Sequence, residues 1–352
     1  MNELIASIIA PFCDSLRRTI RSIMIRPLVI TGARGYIGSA LAERFAREGH
    51  AMRLVSRSSG APRLEAAPGT KIEYCEADLR DPQDWSGLLQ DAAAVIHLSS
   101  RTDLRAAEAD PAGDRNLNVE PLQALVDAAA QCGAPVPVLF ASTVTIVGDL
   151  HSNPVDESAP DRPCSVYDRH KLECETILRD ATRRGVLSAC SLRLSNVYGH
   201  GVSSVNSNRG VLNAVMRRAG EGAALTLYGQ GEYIRDFTFL GDVVDAFCRA
   251  LAVERVRDGE HYVIATGLGH TLAEAFGLVA LEAFRYTGRR VEVRHVPEPP
   301  DLHSIERRNF VGDSGLFQRL TGWRAQVDLE SGIRDHFAQA FAGATGTPPA
   351  AA

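Results

Sequence analysis

The sequence predicts an α/β fold built on a doubly wound parallel sheet. Three observations carry the prediction. Short apolar runs alternate with amphipathic helical runs instead of grouping together, the pattern of parallel strands joined by crossover helices. A glycine-rich turn separates the first strand from the first helix. The chain is 352 residues long, 45% hydrophobic and 23% charged, enough for one large or two intimate domains with a sizeable core.

The elements follow in order. Residues 1–26 stand apart: Ile5, Ile8, Ile9, Phe12, Leu16, Ile20 and Ile23 recur at helical spacing, with Arg17, Arg18 and Arg21 among them. Pro11 breaks or restarts this helix. A basic amphipathic segment can touch a membrane surface or a partner subunit; a packing helix, or an upstream start before Met24, is the favoured reading. It does not resemble a secretory signal, because the basic residues follow the apolar stretch. Leu28–Thr31 reads as a strand and Ser39–Glu48 as a helix ended by Gly49. Further strands are expected at Met52–Val55, Lys71–Glu76 and Ala93–Leu98. A helix over Leu117–Gln131 ends at Gly133, and Val136–Ala141 is the next strand. A long helix starts near Tyr167 and is followed by the strand Leu187–Leu194.

Composition excludes several functions. A net charge of −5 with dispersed arginines leaves no electrostatic footprint for nucleic acid. No apolar run approaches the roughly 20 residues that span a bilayer. The seven cysteines are scattered and contain no CxxC, so neither a disulfide framework nor a metal site is expected, and a reducing cytoplasm fits.

Two motifs carry chemistry. Gly32-Ala33-Arg34-Gly35-Tyr36-Ile37-Gly38 lies between the first strand and the first helix, where glycines let the backbone and a helix N-terminus approach a pyrophosphate. The second strand ends without the Asp or Glu that usually bonds the adenosine ribose of NAD. Arg57, with Arg34, can instead pair with a 2′-phosphate, which favours NADP over NAD; in so arginine-rich a chain either residue can also be simply solvated. The second motif is Tyr167-Asp168-Arg169-His170-Lys171, a YxxxK pair opening a helix. Residues at i and i+4 share a face, so Lys171 can stabilise a Tyr167 phenolate and make it a usable base. Of 38 lysines and arginines only Lys71 and Lys171 are lysines, so a lysine at this spacing carries weight.

The GxxGxxG spacing and YxxxK together resemble the extended short-chain dehydrogenase/reductase family, in its nucleotide-sugar-modifying branch. The likeness runs from Leu28 to about Phe341. It implies a doubly wound Rossmann domain with a smaller C-terminal α/β substrate-binding domain: residues 27–195 for the dinucleotide, with a return segment near 237–266, and mostly substrate contacts over 196–342. A tail over 343–352 is expected to be disordered. By the same resemblance Thr143, at the end of the strand Val138–Ala141, holds the reacting oxygen beside Tyr167, with Ser142 as its neighbour on the substrate side. Asp78-Leu79 matches the family's adenine contact, although Asp78 can equally be a helix cap before Pro82. Leu98 and Ser99 lie in the segment beneath the cofactor, where His97 is structural. Asn118 matches an asparagine whose backbone shapes the site. Asn196, Arg235 and Arg308 match positions near the sugar and its phosphates, with Arg307 the alternative to Arg308. A homodimer through the helices carrying Asn118 and Tyr167 is also implied.

Val144 and Thr145 stand where nucleotide-sugar 4,6-dehydratases place an Asp-Glu pair, so dehydration is not expected. The remaining expectation is a nucleotide-sugar 4-epimerase using a bound NAD or NADP. An NADPH-dependent 4-keto reductase is the alternative, and a non-catalytic NAD(P)-binding regulatory protein a further one.

Overall fold

The computed structural model describes residues 26–57, 64–149, 153–201, 210–300 and 302–341. The amphipathic segment, apart from Arg26, and the tail read from the sequence lie outside these residues.

The first lobe is built from β1 (Leu28–Thr31), α1 (Tyr36–Arg47), β2 (Met52–Ser56), β3 (Ile72–Glu76), α2 (Pro82–Leu89) and β4 (Ala94–His97). Next come α3 (Leu104–Ala109), α4 (Pro111–Asn118), α5 (Glu120–Ala129), β5 (Val136–Thr143), α6 (Val166–Arg183) and β6 (Leu187–Leu194). β1 and β4 are buried at every position, which is why they read as unbroken apolar runs: helices cover both faces. On one face Leu41 and Phe45 of α1 pack with Val243 and Phe247; on the other Trp85, Leu125 and Leu178 pack together. Burying each such side chain contributes about 1.5–3 kcal/mol.

The chain then crosses into a second lobe through β7 (Asn196–Tyr198), α7 (Val211–Gly220), β8 (Leu225–Tyr228) and β9 (Ile234–Phe239). It returns through α8 (Leu240–Ala252) and β10 (His261–Ile264), and crosses again into β11 (Gly269–Thr271), α9 (Leu272–Thr287) and β12 (Val293–Val296). α10 (Gly315–Thr321) and α11 (Leu329–Phe341) complete the described chain. The large sheet has seven strands in the order β10-β6-β5-β4-β1-β2-β3, all paired in parallel. The order reverses between β1 and β4, and Thr31 pairs with His97, so two strands end level at the switch point where α/β folds bind ligands.

Three expectations are corrected. The helix expected over Leu117–Gln131 is two helices that break at Val119; Pro121 has no N–H to offer the carbonyl of Leu117. The return segment starts at Leu240 and not near residue 237, because Phe237 pairs with Asn196 in the smaller sheet β11-β9-β7. A second return was not legible: Phe317 and Trp323 pack into the core under the large sheet, and the Trp323 indole donates to the Asp242 carbonyl at 3.0 Å.

Candidate active site

A cleft of about 430 Å³ opens at the C-terminal ends of β1, β4 and β5 and is closed on its far side by the second lobe. Gly32, Gly35, Tyr36, Ile37, Gly38 and Leu98 line one end of it. The turn is tight enough to require glycine: a Cβ on Gly32 would meet the Leu98 carbonyl carbon at 2.9 Å, and one on Gly38 the Gly32 oxygen at 2.2 Å. α1 begins here with no acidic residue in its first turn and no side-chain cap, so its N–H groups and positive dipole end are left for an anion. Thr31 holds the facing loop, its Oγ1 accepting from the N–H groups of Leu98 and Ser99 at 3.1 and 3.2 Å. That leaves the Thr31 hydrogen for His97 Nδ1, 3.0 Å away. His97 is fully buried, and burial, then the Lys171 charge, lowers its pKa to about 3: it is neutral and structural. The turn, the bare helix end and the glycine packing fit a dinucleotide.

Thr143, Tyr167 and Lys171 line the middle of the same cleft. Ser165 caps α6 by accepting the Asp168 N–H, which fixes the first helical turn and directs Tyr167 and Lys171 to one side. Lys171 Nζ donates to the Ala141 carbonyl at 2.9 Å. It sits 4.5 Å from the centroid of the Phe140 ring and 5.7 Å from that of Tyr167. Burial lowers its pKa to about 8, against the opposing charges of Cys174, Glu175 and Asp114. Ser142 and Thr143 are the last two residues of β5, two places further along the strand than expected. Ser142 borders the cleft, yet its hydroxyl donates to Glu175, which is itself ion-paired with Arg193 in the interior.

Asn196, Arg235 and Arg308 line the cleft on the side of the second lobe. Arg235 donates only to carbonyl oxygens, those of Ile234, Glu306 and Arg308; Arg308 donates to the Ile305 carbonyl at 2.7 Å and to Asn196 Oδ1 at 3.4 Å. Both are buried, and among the described residues neither has a carboxylate hydrogen-bond partner and Arg308 Nε has no partner. Burial, then the Arg308 charge, lowers the Arg235 pKa to about 9. Two buried guanidiniums with spare donors suit a diphosphate. Arg307, the alternative, is exposed and paired with Glu298.

Other expected residues lie off the cleft wall. Arg34, in the glycine turn, and Arg57, directly after β2, are exposed. Asp78 is bound by Arg80, and the residue capping the next helix is Asp81, not Asp78. Leu79 packs in the core. Ser99 contributes its N–H to Thr31. Asn118 braces the loop after β4, accepting from Ser100 and Arg101 and donating to Arg101 and Asp114. Asp168, which the sequence did not single out, also matters: Thr145 lines the cleft and binds both Thr143 and Asp168. Only the neighbourhood of Asp168 to Tyr167 could have signalled it. Among the described residues no cluster is suited to a metal, and no helix is long and apolar enough to cross a membrane.

The chain is 29% identical to the UDP-glucose 4-epimerase of Mycolicibacterium smegmatis, over 87% of its own length and 95% of that protein. It is also 29% identical to the dTDP-L-rhamnose 4-epimerase of Burkholderia thailandensis, over 88% and 93%. The crystal structure of Thermus thermophilus UDP-glucose 4-epimerase in complex with NAD superposes with a TM-score of 0.76 at 28% identity, covering 91% of this chain and all of that one. The glycine turn, the YxxxK pair on α6 and the strand-end Thr143 all fall within residues 28–265, which match the NAD dependent epimerase/dehydratase family, and the chain belongs to that family.

Proposed function

We propose that the protein is a nucleotide-sugar epimerase acting at the sugar C4 carbon through transient hydride transfer to a bound nicotinamide cofactor. One observation carries the reading: a single cleft joins a dinucleotide cradle, the Thr143–Tyr167–Lys171 set, and two buried arginines without carboxylates. The cofactor, when bound, supplies the hydride acceptor and donor. Gly32, Gly35 and Gly38 admit its pyrophosphate, and Lys171 holds the ribose side while stabilising the Tyr167 phenolate. Tyr167 takes the sugar hydroxyl proton and returns it, and Thr143 holds the same oxygen. Arg235 and Arg308 anchor the diphosphate, so the sugar can turn between the two hydride transfers without leaving the site.

NADP is the favoured cofactor in this reading, since Arg34 and Arg57 are exposed cations beside the glycine turn and the end of β2, and β2 ends in no carboxylate. The same arginines support a second reading, an NADPH-consuming 4-keto reductase. Incubating the purified protein with UDP-glucose or a dTDP-linked sugar, with no cofactor added, tests both. Epimer formation by the protein as isolated is expected; no epimer from it, together with stoichiometric consumption of NADPH when that and a 4-keto nucleotide sugar are supplied, would replace the epimerase with the reductase. Arg57→Ala is expected to weaken NADP binding about tenfold and leave NAD unchanged; equal loss for both would remove the NADP preference.

A further inference from the structure

A carboxylate stands behind the hydroxyl that faces the reacting sugar oxygen. Asp168 follows Tyr167 in α6 and is fully buried. Ser165 Oγ donates to its Oδ2 at 2.7 Å, and Thr145 Oγ1 donates to its Oδ1. Thr145 Oγ1 in turn lies 2.8 Å from Thr143 Oγ1, and both threonines line the cleft. A hydroxyl has one hydrogen, and an ionised carboxylate only accepts. With Asp168 ionised, Thr145 gives its hydrogen to the carboxylate, so Thr143 gives its own to Thr145. The Thr143 oxygen also accepts the Thr145 N–H at 3.2 Å. It therefore meets the cleft as an acceptor. Thr145, standing where a dehydratase keeps its glutamate, is thus wired to a carboxylate brought in from the next helix.

We propose that Thr143, Thr145 and Asp168 form a relay that holds the proton of the reacting sugar hydroxyl while the ketone exists, a proposal that rests on the epimerase reading above. The carbon–hydrogen electron pair leaves with its hydrogen for the oxidised nicotinamide, and the carbon–oxygen bond becomes double. The hydroxyl proton passes to Thr143, the Thr143 hydrogen to Thr145, and the Thr145 hydrogen to Asp168 Oδ1. Each threonine gains one hydrogen and gives one, and the carboxylate ends as a carboxylic acid. The chain then points the other way: Thr143 donates to the ketone oxygen, placing a donor where charge develops when the hydride returns. Reversal restores the starting state. The relay gives the proton an exit besides Tyr167, and Arg308 is the cation whose charge Asp168 faces.

The test compares the parent with Asp168→Asn, Thr145→Val and Thr145→Ser, using UDP-glucose and a dTDP-linked sugar for turnover and calorimetry with uridine diphosphate for binding. Asp168→Asn and Thr145→Val are expected to lower kcat by about tenfold or more. KM and uridine diphosphate affinity should stay within about twofold of the parent. Thr145→Ser, which restores the hydroxyl, should recover most of the lost kcat. Folded variants that keep the parent kcat overturn the relay alone, as does a Thr145→Ser protein no better than Thr145→Val. Loss of uridine diphosphate binding in step with kcat would make the three residues a scaffold and also overturn it. A parent that epimerises no nucleotide sugar overturns the function reading, and the relay with it.

Discussion

Lys171 has the character of a residue kept for its chemistry at the expense of the fold. Its pKa falls to about 8 from an ordinary 10.5 because it is buried, so folding prefers the neutral amine. Stability tied to that preference is complete above about 10.5 and is lost as pH falls through about 8. At pH 7 the folded protein therefore carries an unfavourable buried ammonium, softened by the Ala141 carbonyl. Lys171→Met is expected to raise stability in urea by about 1–2 kcal/mol at pH 7, with the gain shrinking as pH rises. The same variant should lose turnover, because no charge remains to support the phenolate. Tyr167→Phe, which keeps the ring beside Lys171 and removes the hydroxyl, should lower kcat by about 10²–10⁴-fold. Both residues were legible because their spacing is a backbone property: any helix puts i and i+4 on one face. Asp168 was not, since nothing in a sequence shows that Thr145 of another element will meet its carboxylate.

Among the elements, the glycine turn and α1 show how one substitution changes sign with position. A Cβ at Gly38 would lie 2.2 Å from the Gly32 oxygen, and neither backbone segment can yield without opening the cradle. Gly38→Ala is expected to cost about 1–3 kcal/mol and to abolish nicotinamide cofactor binding. Gly87, exposed in α2, has nothing within 4 Å of its Cβ position, so Gly87→Ala should stabilise by about 0.5–1 kcal/mol. Thermal denaturation of the two variants, with and without cofactor, checks both signs. Elements of this kind were readable wherever burial on two faces wrote an apolar run, as in β1 and β4. Reading failed where tertiary bonds decide: the break at Val119 coincides with Asn118 bracing Arg101, and α10 returns to the core because Phe317 and Trp323 have a place waiting there.

At the scale of the whole molecule, the two lobes meet around two buried arginines that have no carboxylate hydrogen-bond partner among the described residues. The chain crosses between them beside Asn196, and the Tyr36 hydroxyl of the first lobe donates to the Gly199 carbonyl at 2.9 Å. Arg308 reaches back to Asn196, and Arg235 lies against it, held by carbonyl oxygens alone. Burial, then the neighbouring Arg308 charge, opposes the charged form of Arg235 and lowers its pKa to about 9. A diphosphate brings the missing negative charge, so ligand binding should stabilise both lobes as one unit, beyond the site it touches. Arg308→Met keeps most of the side-chain volume and removes one charge. Its unliganded form is expected to melt no lower than the parent, while uridine diphosphate, which raises the parent melting temperature, should barely shift the variant. Affinity measured by calorimetry should fall about 10²-fold. A variant that melts well below the parent and still binds uridine diphosphate normally would show that Arg308 holds the lobes together through its carbonyl contacts, and that the phosphate-binding charge lies elsewhere.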